Sequence, residues 1–323
     1  MSESVALLRT PNILCVSLNP AIDRRIVVRD FHVGEVNRAL SVDAAAGGKA
    51  AHVAYAVQSL GGTVHWLGFL GGPEGEAFRA GFVCRGVKST VVPIAARTRM
   101  TLELIDESTK RTTEVLEPGP VISEVEAEHL KSEFSRFISE CRIVVVSGSL
   151  PTGLSSSFYS ELISVAKAAG CCVLLDSSGE ALSVSLASQP DLIKPNLHEA
   201  GALLGKELKT LDEGIMAARS LKHRGARSVL LSLGSGGALL VDEAGKTYVG
   251  VPPRIQPISV VGCGDSLLGA YAVAISKSLA AIDALRFAIA AGSANCLAES
   301  PGILSAEQVA TFVPQVDVKF LAD

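Results

Sequence analysis

Val260-Val261-Gly262-Cys263-Gly264-Asp265-Ser266-Leu267-Leu268-Gly269-Ala270 is the stretch on which the fold turns. Two glycines flank a small residue and lead into an apolar run that reads as a helix. Glycine has no Cβ, so the chain can turn sharply there and bring its amides close to a ligand. The first amides of a helix lack partners within it and the helix dipole stands behind them, so such a loop favours an anion, for example a phosphoryl group in transfer. Asp265, at the head of the run, is placed to accept a proton from an attacking hydroxyl. A plain glycine turn with Asp265 as a helix cap would use the same residues.

Gly264-Asp265-Ser266-Leu267 also spells the nucleophile motif of GDSL-type esterases. That chemistry needs a partner histidine, usually downstream, and none follows His223. The motif also sits near the wrong end of the chain, so this alternative is set aside. The absence of GxxxxGK[ST] excludes a P-loop kinase. Leu18-Asn19-Pro20 follows the first expected strand where a nicotinamide-dependent dehydrogenase would carry GxGxxG.

Outward from the loop, strands and helices alternate. Strands are expected at Ile13–Leu18, Val64–Leu70, Ile143–Ser147, Cys171–Asp176, Asp191–Lys194 and Val229–Leu233. Helices are expected at Lys49–Leu60, Glu74–Cys84, Glu124–Ile138, Ser155–Ala169, Glu199–Leu204 and Asp212–His223, and two more over Gly264–Ser276 and Ile282–Leu297 close the chain. This rhythm predicts a three-layer α/β/α fold, a mainly parallel sheet flanked by helices. Two stretches break it. Arg24–Val28 with Ala39–Val42, and Thr101–Ile105 with Thr112–Glu117, alternate polar and apolar residues around short turns. They predict a small antiparallel β-sheet lid, inserted from about 24–44 and 97–117 into a single domain spanning 1–323.

Hydrophobic residues make up 48% of the 323-residue chain, which is enough for a large core and excludes disorder. The formal charge of −4 argues against a nucleic-acid partner, so placed cations must meet any anionic substrate. Seven cysteines without a CxxC fit reduced thiols in a cytosol, and six histidines without an HExxH make zinc an unfavoured ligand. The opening MSESVALLRT lacks the apolar run of a signal peptide, and no segment has the roughly 20 apolar residues of a membrane span. A cytoplasmic protein without membrane contact is the expectation.

The loop around Asp265 resembles the C-terminal signature of the PfkB, or ribokinase-like, carbohydrate kinases, usually GAGD, with Cys263 in place of the alanine. That change is small for small and preserves the turn, although a thiol at a helix N-terminus is also a candidate reactive group. Gly47-Gly48-Lys49-Ala50-Ala51-His52-Val53-Ala54 resembles the family's N-terminal signature, commonly GGKGxNVA. Asn196 followed by Glu199 resembles its NxxE motif. Ser147–Pro151, Asp176–Gly179 and Ser232–Gly237 fall in the family's order and spacing. Leu18–Asp23, Gly34–Arg38 and Glu117–Pro120 are similar to the branch that phosphorylates sugar phosphates, that of 1-phosphofructokinase and tagatose-6-phosphate kinase.

The resemblance implies an ATP-dependent, Mg²⁺-assisted kinase acting on a ketohexose monophosphate. In it Asp265 is the base, while amides from Gly262, Cys263 and Gly264 hold the developing charge. Asn196 and Glu199 orient Mg²⁺ through water, although the same pair also reads as a helix capping box. Lys194, Ser232, Gly234 and Gly237 serve the nucleotide. Asp23, Gly47, Gly48 and His52 hold sugar hydroxyls, and Lys49, Arg38 and Arg99 supply cations for the existing phosphate. A homodimer through the lid is implied as well. Ala50 replaces a glycine, which asks whether that position needs positive φ, and His52 replaces an asparagine, which brings sugar identity into question. A nucleoside or free-sugar kinase would not need the cation cluster, and a non-catalytic binding protein would not need Asp265.

Overall fold

The computed structural model describes residues 13–321, so the opening stretch read for a targeting signal lies outside the described residues. Strand β1 (Ile13–Ser17) leads into lid strands β2 (Ala21–Val28) and β3 (Ala39–Gly47). Helix α1 (Lys49–Ser59), β4 (Val64–Leu70), α2 (Gly72–Cys84) and β5 (Lys88–Pro93) return the chain to the core. A second lid hairpin, β6 (Arg99–Asp106) and β7 (Arg111–Leu116), precedes α3 (Glu124–Ile138), β8 (Ile143–Ser147) and α4 (Phe158–Ala168). There follow β9 (Cys172–Asp176), α5 (Gly179–Ser185), β10 (Leu192–Ile193), α6 (Leu197–Leu204), α7 (Leu211–His223) and β11 (Val229–Ser232). The last elements are β12 (Ala238–Val241), β13 (Thr247–Val251), α8 (Cys263–Ser276), α9 (Ala281–Asn295), α10 (Ala306–Phe312) and β14 (Asp317–Leu321).

The main sheet runs in the order β14-β13-β12-β11-β10-β9-β8-β1-β4-β5. It is parallel from β11 to β5 and antiparallel from β11 to β14. All five residues of β1 and of β8 are buried, because both faces of a parallel sheet are covered. Ile13 and Cys15 point toward α1, α2, α8, α9 and α10, while Leu14 and Val16 point toward α3 to α7. The expected three layers are therefore present. The edge strands β5 and β12 to β14 are additions, short segments whose period is too brief to separate them from loops.

The lid sheet has the order β3-β2-β6-β7. Its two outer pairings are antiparallel as expected, and the middle one, β2 on β6, is parallel. The chain leaves the core twice in the same direction, after β1 and after β5, so the first strands of the two excursions run side by side.

Helix starts follow local chemistry. Ser123 with Glu126, Asn196 with Glu199 and Thr210 with Glu213 each form a reciprocal capping box at the head of α3, α6 and α7. Helix α1 is buried from Ala50 to Val57, as an all-round apolar helix must be. It packs closely on α8, where a Cβ at Gly269 would lie 2.9 Å from both Ala56 Cβ and the Val53 carbonyl.

Candidate active site

A cleft of about 860 Å³ opens where parallel strands end, with Ser17 closing β1 and Ser147 closing β8 on one wall, and lid residues such as Arg25 and Thr101 on the other. Crevices at the carboxyl ends of parallel strands are where open α/β sheets bind ligands. Of the residues singled out in the sequence, Asp23, Gly48, Lys49, His52, Arg99, Glu199 and Asp265 line it.

The contact between α1 and α8 sets the floor. His52 projects from the first full turn of α1 and Asp265 from that of α8. Their side chains meet with His52 Nδ1 at 2.9 Å from Asp265 Oδ2, and His52 Nε2 reaches Asp23 Oδ2 at 2.7 Å. Burial alone would push the imidazole down, but hydrogen bonds and charge from the two carboxylates outweigh it and raise it to about 10. His52 is therefore a cation at neutral pH, with both ring nitrogens donating. Asp23 also accepts from Thr101 Oγ1 and, at 3.4 Å, from the Gly48 amide. Burial would raise its carboxyl, and these donors hold it below the usual value instead. Gly47 is required here because a Cβ would overlap the Asp23 carboxylate at 1.9 Å.

Lys49 begins α1 and reaches Asp176 Oδ1 at 3.2 Å and Glu199 Oε1 at 3.6 Å. Lys194, nearly buried, lies 3.3 Å from Asp176 Oδ2. Charge attraction to Asp176 is the main cause that raises the Lys49 ammonium. Burial would raise Asp176, yet the two lysines hold it below the usual carboxylate value. The sequence marks Asp176 only as part of a spaced motif. Its signal there was an acid ending an otherwise apolar strand, the kind of buried charge that must be paired.

Gly262 caps α8 with φ 76°, and a Cβ there would meet Pro301 Cβ at 2.6 Å. Gly264 does not share that conformation, since it already lies in the helix, and its bareness serves space instead. A Cβ would approach Lys194 Nζ to 3.2 Å. The amides that open α8 thus face a region with an ammonium beside it, which suits an anion.

The other expected residues divide. Ala50 is the second residue of α1 and is absent from the positive-φ positions, so no glycine is required there. Arg99 lines the cleft, but its guanidinium donates to the Asn19 and Glu117 carbonyls. Arg38 is exposed in the turn before β3 and does not line the cleft. Asn196 Oδ1 accepts from the Glu199 amide at 2.8 Å and Glu199 Oε2 accepts from the Asn196 amide at 2.9 Å, so the capping box is real, and Glu199 Oε1 still faces Lys49. Ser232 bridges to Asn196, and Gly234 and Gly237, both with positive φ, form the turn from β11 to β12 beside it.

A three-layer α/β fold with a lid, and an aspartate in the first turn of a glycine-capped helix at the cleft floor, suit a small-molecule phosphotransferase. The family model for "pfkB family carbohydrate kinase" matches residues 11–308. A 1-phosphofructokinase of Rhodobacter capsulatus is 32% identical over 314 residues, covering 97% of this chain and 99% of that protein. A tagatose-6-phosphate kinase of Staphylococcus epidermidis is 31% identical, covering 95% and 99%. The structure of Escherichia coli phosphofructokinase-2 in complex with fructose-6-phosphate superposes with a TM-score of 0.87 at 30% identity, covering 95% and 99%. The chain belongs to the pfkB family of carbohydrate kinases, and it is an ATP-dependent sugar kinase.

Proposed function

We propose that this chain transfers the terminal phosphoryl group of ATP to a hydroxyl of a ketohexose monophosphate, of the fructose 1-phosphate, fructose 6-phosphate or tagatose 6-phosphate class, giving a bisphosphate. The observation that carries the reading is Asp265, which heads α8 at the cleft floor and is tied through His52 to Asp23. Asp265 takes the acceptor proton, and the amides after Gly262 stabilise the charge that develops on the transferring group. Asp23 holds sugar hydroxyls, and His52, whose two ring nitrogens are both taken by carboxylates, orients it. Lys49, 39% exposed at its side chain, reaches the substrate phosphate, with Arg99 as a second cation lining the same cleft. Arg38 would need the lid to move before it could join them. Relatives named for phosphorylated ketohexoses favour that class over a free sugar.

Lys194, Ser232, Gly234 and Gly237 lie on the nucleotide side of this reading. A divalent cation such as Mg²⁺ would neutralise nucleotide phosphate charge. Asn196 and Glu199 offer hard oxygen donors, but both also cap α6, and no group of three or more His, Cys, Asp or Glu side chains forms an ion cage among the described residues. They therefore fit a water-mediated outer role, which suits an ion that keeps most of its own hydration.

The lid leaves Leu40 and Val42 of β3 and Val115 and Leu116 of β7 exposed, which supports a homodimer through the lid. Sedimentation showing only monomer at micromolar concentration would remove that part. No described helix is long and apolar enough to cross a membrane. A cytoplasmic location, with the seven thiols free, belongs to the same reading.

The test is a coupled ADP-release assay with Mg-ATP against phosphorylated and free sugars, run beside Asp265→Ala. The expected result is turnover on one ketohexose phosphate, reduced by about 10³-fold or more in the variant. Turnover on free sugars alone would reassign the acceptor.

A further inference from the structure

The sulfurs of Cys263 and Cys296 stand 3.2 Å apart. Cys263 is the first residue of α8, between Gly262 and the amide of Gly264, and Cys296 caps the far end of α9. The α8–α9 hairpin brings these ends together, and Asn295 fixes the junction. Its Nδ2 donates to the Val261 carbonyl at 2.7 Å and to Cys263 Sγ at 3.3 Å, while its Oδ1 accepts from Ser266 Oγ and the Gly302 amide. Both sulfurs belong to partly exposed residues, whereas Cys15, Cys141 and Cys171 are buried.

We propose that Cys263 and Cys296 form an oxidation site that reacts with a peroxide and closes to a disulfide, which switches the phosphoryl-transfer loop off. This rests on the proposed role of that loop. The hydrogen bond between the two sulfurs lowers the Cys296 thiol and raises that of Cys263, so thiolate character gathers on Cys296. A low-lying, accessible thiolate beside a second thiol is the arrangement that oxidants select. The Cys296 thiolate attacks a peroxide oxygen, the O–O bond breaks, and hydroxide leaves and is protonated to water. The Cys263 sulfur then attacks the Cys296 sulfenic acid, the S–S bond forms and the S–O bond breaks. The departing hydroxide takes the Cys263 proton as a second water. The two thiols give up two electrons in total, and the peroxide is reduced to two waters.

A disulfide holds its sulfurs about 2 Å apart, so closure draws Cys263 toward α9. The shift falls on the backbone between Gly262 and Asp265, where a misplacement of about 1 Å costs on the order of 100-fold in rate. The alanine usual at this place in the family signature has no sulfur to close, so the device belongs to this chain's own substitution.

The test treats the reduced full chain with hydrogen peroxide and follows peptide masses, turnover and recovery with dithiothreitol. Expected is a Cys263–Cys296 linked peptide lighter by two hydrogens, a fall in turnover of about tenfold or more, and recovery on reduction. Cys296→Ser should start with unchanged turnover and keep it under peroxide, whereas Cys84→Ser, which removes the exposed thiol, should respond like the parent chain. Absence of the linked peptide, a linked enzyme with full turnover, or inactivation of Cys296→Ser at the parent rate would each overturn the proposal. The linked peptide is read without any activity, so failure of the kinase reading would show separately.

Discussion

His52 Nδ1 lies 2.9 Å from Asp265 Oδ2, and the opposite nitrogen of the same ring lies 2.7 Å from Asp23 Oδ2. One buried imidazolium thus fixes the spacing between the proposed base and the proposed sugar ligand. The family signature places an asparagine there, whose amide offers a different set of donors and one carbonyl acceptor. His52→Asn should keep measurable turnover, because the loop and Asp265 are untouched, and it should change the order of preference among ketohexose phosphates. An unchanged ranking of kcat/KM across the sugar panel would show that the ring serves spacing alone.

The same clamp carries a pH signature. The His52 imidazole in the folded chain stands at about 10 against an ordinary value of 6.5. Its stabilisation is complete below the ordinary value and is lost as pH rises through about 10. The difference in melting temperature between the parent chain and His52→Asn should be full near pH 6 and shrink on approaching about pH 10. A gap that stays constant across that range would mean that the ring is neutral throughout.

The residues that the sequence made legible are those whose chemistry is packed into a few consecutive positions. Gly262 to Asp265 and Gly47 to His52 each carry a turn, a helix start and a reactive side chain in one window, and the fold brings the two windows together. Asp176 escaped because its meaning comes from Lys49 and Lys194, which reach it from distant parts of the chain. Arg38 sits in a matching motif yet stands exposed before β3, because a motif records neighbours along the chain and not the position of the lid over the cleft. The parallel pairing of β2 with β6 was also hidden, because alternation along a strand records which face is wet and says nothing of a partner's direction.

Asp176 is fully buried between two lysines. Asp176→Asn leaves both ammonium groups without their shared carboxylate and should cost about 3–5 kcal/mol in urea unfolding. The carboxyl is held below its ordinary value of 3.8, so its contribution is present above that value and disappears as pH falls through the lower folded value. The gap between parent and variant should therefore close at the acid end, opposite to the His52 effect. A loss under about 1 kcal/mol at neutral pH would mean that water already shields the lysines.

Glu199 has two separable duties, capping α6 through Oε2 and facing Lys49 through Oε1. Glu199→Gln keeps an oxygen for the Asn196 amide while removing the charge. It should leave the melting temperature within about 2 °C, since a cap is worth ~1 kcal/mol and is largely retained. The Mg²⁺ concentration needed for half-maximal turnover should rise severalfold. A lower melting temperature with an unchanged Mg²⁺ requirement would assign Glu199 to capping alone.

Gly269 is remote from the cleft in sequence terms, yet it sets the distance between the two helices that carry His52 and Asp265. A Cβ there would lie 2.9 Å from Ala56 Cβ and 2.9 Å from the Val53 carbonyl, and neither a backbone oxygen nor a methyl on a buried helix can swing aside. Gly269→Ala must therefore push α1 from α8, and overpacking of this kind costs about 1–3 kcal/mol. The displacement acts one turn beyond Asp265, so the His52–Asp265 contact lengthens with it. Turnover should fall by more than the stability loss would reduce the folded fraction, and the alkaline fading of stability assigned to His52 should weaken in the same variant. If Gly269→Ala unfolds at lower urea while the folded enzyme keeps full turnover, the two helices re-pack without disturbing the clamp. The His52–Asp265 spacing would then be set locally by the loops that begin α1 and α8.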